Sequence, residues 1–94
     1  MKEPSLTEIK LRSEIPVNAK FIGWIIYNPI QDDFLWKFSE DERSLLKQWV
    51  IFPDMALRFK KHKKAIRMLD YLELRGKATI VAAFDAGAQV RIGN

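Results

Sequence analysis

Six cations fall within ten residues, Arg58, Lys60, Lys61, Lys63, Lys64 and Arg67, in a stretch (RFKKHKKAIR) that holds no acid. The chemistry open to such a row is electrostatic. Ammonium and guanidinium groups in series neutralise successive phosphates of a nucleic-acid backbone, and Tyr71, four residues beyond Arg67, adds a ring on which a base can stack. The other 84 residues carry ten Lys or Arg against twelve Asp or Glu, a net of −2, so the formal charge of +4 comes from this one segment. Competing readings of the same run are a plain solvated helix face, a surface for an acidic protein, and a contact with an anionic membrane. The membrane is the weakest, because the opposite face of the helix is needed for the core.

A second candidate surface is aromatic. Trp24, Tyr27, Phe34 and Trp36 lie in two strand-like runs, FIGWIIY and FLWKF, and could bind a partner protein or a second copy of the chain. The first run is apolar on both pleat faces, with Phe21, Ile25 and Tyr27 on one side and Ile22, Trp24 and Ile26 on the other. Such a strand wants cover on both faces, and a single helix layer covers one, which leaves room for a homodimer. Nothing here resembles the glycine-and-aromatic strand of an RNA-recognition motif.

Little else in the chain can do chemistry. With no cysteine, a disulfide, a thiolate zinc site and a cysteine nucleophile are all excluded. His62 is the single histidine and has no second imidazole to work with. Asp32 and Asp33 read as turn residues, because calcium needs six to eight oxygens and no EF-hand spacing of acids occurs. Ser5, Ser13, Ser39 and Ser44 stand in no G-x-S-x-G context, and the four scattered glycines form no phosphate loop. The expectation is a protein that is not an enzyme, with no cofactor, no metal and no small-molecule substrate.

These residues must be positioned by a small α+β domain. Hydrophobic residues at 48% with 30% charged suit one folded unit of 94 residues, too small to enclose a deep active site. Two hairpins, about 21–38 and 77–92, predict a mostly antiparallel sheet, and Ala65, Ile66, Leu69 and Leu72 predict an amphipathic helix over about 62–75 with its basic face outward. Ser39 with Glu42 has the form of a capping box, which predicts a short helix over about 40–48, and Trp49 to Phe52 then reads as a buried strand. Residues 1–20 read as an N-terminal extension with an edge strand around Thr7–Arg12, although Ser5 and Glu8 could also cap a helix; residues 21–94 form the domain. Gly23 marks a bulge or a close backbone approach, Gly76 a helix end, and Asp85, Ala86 and Gly87 a three-residue hairpin loop.

The start of the main helix carries the functional inference. A start near His62 crowds its first turn with lysines at the positive end of the macrodipole, each costing about 0.3–1 kcal/mol, with no good cap in Lys60 to His62. A start at Met55, capped by Asp54, would place the lysines harmlessly mid-helix. In the first case a local rule is broken without visible compensation, as at functional sites. The chain carries no secretory signal pattern and no apolar run long enough to span a bilayer, so a cytoplasmic location is expected. Two functions from different classes fit: a module contacting DNA or RNA phosphates through the basic helix, or a protein adaptor using the aromatic strands.

Overall fold

β-Branched and aromatic residues at Lys20–Asn28 form the central strand, β1, of a five-stranded antiparallel sheet. The computed structural model describes residues 3–94. Strands β2 (Asp33–Glu40), β3 (Leu45–Val50), β4 (Thr79–Asp85) and β5 (Val90–Gly93) complete the order β3-β2-β1-β4-β5. Helices α1 (Leu6–Arg12) and α2 (His62–Tyr71) share one face, where Ile9 of α1 and Ala65 of α2 pack in one cluster with Trp24, Ala82 and Phe84. The α+β class and both hairpins are as the sequence predicts. The first turn is closed by Asn28, whose side-chain oxygen accepts from the N–H groups of Ile30 (3.0 Å) and Gln31 (3.2 Å). In the second hairpin the loop is Ala86 to Gln89, one residue longer than expected and shifted towards β5.

Gly23 sets which side of β1 meets the helices. A bulge between Phe21 and Gly23 inserts one residue into the pairing with β4, so Phe21 and Ile22 exchange faces relative to strict alternation. Phe21 therefore joins Trp24 and Ile26 under the helices, while Ile22 joins Ile25 and Tyr27 on the other face. Beside the bulge the sheet is split. β1 pairs with β2 only at Tyr27–Phe34 and Asn28–Asp33, and the extended segment Leu57–Phe59 fills the gap above them. Phe59 exchanges two backbone hydrogen bonds with Trp24 (2.7 and 2.8 Å), and the Leu57 N–H donates to the Leu35 carbonyl at 2.9 Å. The chain threads the sheet here: Ala56 packs with Ile25 and Phe34 on one face, whereas Leu57 and Phe59 pack with Leu35 and Leu72 on the other.

The second face of β1 is covered from within the chain. A 3-10 turn at Pro53–Met55, just before the threaded segment, lies against both β2 and β5. Ile25, Val81 and Ala83 beneath it are at most 3% exposed. Part of that face is thus covered from within the chain, while Ile51, Phe52 and Met55 around the turn remain exposed.

Three expected elements differ. The segment 40–48 is no helix: Asp41 accepts from the N–H groups of Arg43 and Ser44, both at 2.8 Å, closing a tight turn between β2 and β3. These bonds hold the Asp41 carboxyl below the usual carboxylate range. Pairing with β2 from Glu40–Leu45 to Phe34–Val50 then overrides the local helix signal. Strand β3 stops at Val50, so Ile51 and Phe52, expected to be buried, lie exposed. Thr7–Arg12 is helix instead of edge strand, capped by Ser5, whose hydroxyl accepts from the Glu8 N–H at 3.4 Å. Residues 3–20 of the expected extension belong to the packed unit through buried Ile9, Ile15 and Ala19; residues 1 and 2 lie outside the described part. Helix α2 ends at Tyr71, and Glu73 (φ 57°), with the Leu74 N–H donating to the Leu69 carbonyl at 2.9 Å, makes the left-handed turn expected of Gly76.

Gly23 has φ of 146°, and a Cβ there would lie 3.1 Å from the Arg58 Cβ and 3.2 Å from the Phe59 carbonyl oxygen. Gly23→Ala is expected to lower stability by about 1–3 kcal/mol, read from the urea midpoint, through backbone strain and loosening of the threaded segment.

Candidate functional site

The helix that carries the lysines begins at His62, and its N-cap residue, Lys61, makes no side-chain cap bond. No acid occupies its first turn. The compensation comes from the far end of the chain. Glu3 Oε1 accepts the His62 N–H at 2.8 Å and the Trp24 indole N–H at 3.1 Å, so a carboxylate 59 residues away caps the helix and meets the positive end of its dipole. The His62 ring packs edge-on against Trp24, with centroids 4.7 Å apart. Burial there pushes the His62 pKa below its ordinary 6.5, and the Glu3 charge opposes this in part. His62 is thus a neutral packing residue at neutral pH.

Past that cap, Lys60, Lys61, Lys63, Lys64 and Arg67 all stand exposed, with Tyr71 half exposed behind them. Lys64, Arg67 and Tyr71 follow the three- and four-residue spacing of one ridge of α2, and Lys60 and Lys61 precede the helix. The buried stripe, Ala65 and Leu69, faces the sheet. Arg58 is separated from this group. In the threaded segment Leu57 and Phe59 face the helices, so alternation turns Arg58 to the opposite side, where its guanidinium donates to the Asp54 carbonyl at 3.2 Å.

Among the described residues, the ion pairs are Arg12 with Glu8 and Arg75 with Asp70; none involves the five exposed cations. Asp70, the sole acid within α2, is gripped by Arg75 through both carboxylate oxygens, which holds its pKa below the usual range. The ridge therefore presents net positive charge without internal neutralisation.

Two open clefts flank Arg67. One, of about 560 Å³, lies at the helix start between Glu3, Lys61, His62, Lys63 and Ile66. The other, of about 600 Å³, is walled by Phe38 of β2, Phe59 of the threaded segment, and Lys64, Met68 and Tyr71 of α2. Phe38 meets Tyr71 edge-on at 6.3 Å between centroids. Phe38 and Phe59 escaped sequence reasoning as site residues, since only the tertiary fold brings β2 and the threaded segment to the flank of α2.

The four aromatics of the first hairpin do not form one surface. Trp24 is 2% exposed under the helices, while Phe34, 4% exposed, and Tyr27 pack together on the opposite face. The Tyr27 hydroxyl donates to Asp32 at 2.7 Å, which raises its pKa. Trp36 lies half-buried at a bulge in β2, beneath the Lys37 ammonium at 4.1 Å from its ring centre. No cluster of three or more His, Asp or Glu able to hold a metal occurs among the described residues.

Compared with known proteins, the chain matches no family model, no curated protein and no solved structure.

Replacing Glu3 with Ala removes the cap, and a loss of about 0.5–2 kcal/mol is expected in urea denaturation. The His62 titration, followed by its imidazole proton shifts, should have a midpoint below 6.5 in the native protein and lower still in Glu3→Ala, where the opposing charge is gone. Because the folded pKa is depressed, the stability this residue contributes is complete above pH 6.5 and is lost as pH falls through the folded value.

Proposed function

We propose that this protein is a non-enzymatic binding module that holds the phosphate backbone of DNA or RNA on the exposed ridge of α2. The observation that carries this is that Lys60, Lys61, Lys63, Lys64 and Arg67 stand exposed at and along α2 and form no ion pair among the described residues. Mutual repulsion among such cations weakens the isolated protein, and a polyanion relieves it through counterion release. Ten helical residues at 1.5 Å each extend about 15 Å, the reach of about four phosphates at 3.4 Å per nucleotide of a stacked strand.

A membrane role has less support: no helix among the described residues is long and apolar enough to cross a bilayer, and the apolar stripe of α2 is committed to the sheet. Docking of a partner protein or a second copy through Trp24, Tyr27, Phe34 and Trp36 also has less support, since two of the four are in the core.

Lys63→Glu combined with Lys64→Glu tests the proposal. The native protein should bind a labelled oligonucleotide in fluorescence anisotropy with a log–log salt slope of about −3, as about four neutralised phosphates require. The double variant should keep its far-ultraviolet circular dichroism while the slope loses about two units and low-salt binding collapses. Unchanged affinity in the folded variant sinks the proposal.

A further inference from the structure

We infer that the cleft between Phe38 and α2 receives an unpaired base of a single-stranded nucleic acid, whose flanking phosphates lie on Lys64 and Arg67. This rests on the phosphate reading of the ridge and names the form of nucleic acid it selects.

The cleft differs in chemistry from its neighbour across Arg67. Its walls are the rings of Phe38, Phe59 and Tyr71 with the Met68 thioether, and its rim carries two cations that form no ion pair among the described residues. An aromatic and apolar slot bounded by positive charge is complementary to a flat ring joined to anions, which describes one nucleotide unit. The neighbouring cleft, lined by Glu3 with Lys61 and Lys63, holds no Phe, Tyr or Trp and so offers a base no such slot.

Tyr71 is the residue that a solvated helix face does not explain. It is 51% exposed, in line with Lys64 and Arg67 along the ridge, and lines the cleft with them. An aromatic ring left in water beside a row of cations is a stacking platform. The rest of the slot is fixed: Phe59 is anchored by its two backbone bonds to Trp24, and Phe38 by pairing with Lys47 of β3. Base faces inside a duplex are already stacked on each other, so only an unpaired base can offer one to this slot. The continuation of the cationic row past Arg67 to Lys63, Lys61 and Lys60 favours a strand over a free mononucleotide.

The test compares three labelled ligands of about eight nucleotides, enough to cover four phosphates, at low salt: oligodeoxyadenylate, an abasic strand with the same phosphates, and a duplex. The native protein should bind oligodeoxyadenylate about 5- to 150-fold more tightly than the abasic strand, the range of one stacked base. Tyr71→Ala should reduce that difference several-fold, whereas Tyr71→Phe should keep it. Equal affinity of the native protein for the two single strands, or tighter binding of the duplex, overturns the base site and leaves phosphate binding standing. No binding of any strand overturns both. Equal competition by an acidic peptide carrying one tryptophan overturns the assignment to nucleic acid. The abasic comparison uses native protein, so it decides the matter even if Tyr71→Ala fails to fold.

Discussion

The passage of the chain through its own sheet is the constraint on which the rest of the structure depends. β1 and β2 leave their ladder open above Tyr27–Phe34, and the open groups of Trp24 and Leu35 are met by Phe59 and Leu57 instead of by each other. Buried backbone groups must be paired, so a split sheet is tolerated only because the threaded segment completes both sides. The route has a steric condition as well. Arg58 and Phe59 come so near Gly23 that a methyl group there would press on both, and the same glycine makes the bulge that turns Phe21 and Trp24 towards the helices. One residue thus admits the crossing strand on one edge of β1 and, through its bulge on the other, sets the face that Phe21 joins.

From that crossing the position of the basic ridge follows. The chain emerges at Phe59 directly above Trp24, and α2 begins three residues later with its dipole pointing back to the same place. Lysines flank this positive end, an arrangement unfavourable alone. Glu3 offsets it with a single carboxylate oxygen shared between the helix and the Trp24 indole, which ties the N-terminal segment, the central strand and the helix start together. Locally broken helix chemistry is therefore repaired by tertiary structure, and the lysine crowding by itself ceases to argue for function. What still argues for it is that no ion pair among the described residues involves the exposed ridge, since Glu3 bonds the backbone of His62.

Much of this was legible in the sequence where local and tertiary preferences agree. The β1–β2 and β4–β5 hairpins are such cases. The failures share a cause. Leu45, Leu46 and Trp49 have helical spacing after an acidic cap-like run, yet pairing with β2 makes them strand and leaves Leu46 58% exposed. Ile9 and Leu11 alternate like a strand, yet α1 buries Ile9 and leaves Leu11 in solvent. Apolar residues that end up exposed corrupt a periodicity, and nothing local marks them as such. Of the site, the cations and Tyr71 were readable because charge and exposure go together. Phe38, Phe59 and Glu3 were not, since each reaches the site by a contact distant in sequence. Arg58 shows the converse: six cations clustered in sequence are divided by a strand whose alternation sends one of them to the opposite face.

Core and surface meet in the aromatic cleft, and this bears on how rigid a binding site can be. Phe59 is at once the residue that closes the split sheet and a wall of the cleft. Phe38 belongs to a paired strand, and Met68 packs with the core cluster of Leu69 and Leu72. Three of the four apolar walls are therefore held by interactions the fold needs in any case, and ordering them on binding costs little further entropy. Tyr71 is the exception, lying at the last residue of α2, where the backbone is secured by the Lys47 ammonium donating to the Leu72 carbonyl at 3.2 Å. Under the proposed base site, the fixed walls would hold the ring and Tyr71, the most exposed wall, would close over it. Selection in such a site works through the face of the ring and the charge beside it, and stacking of that kind tolerates any base.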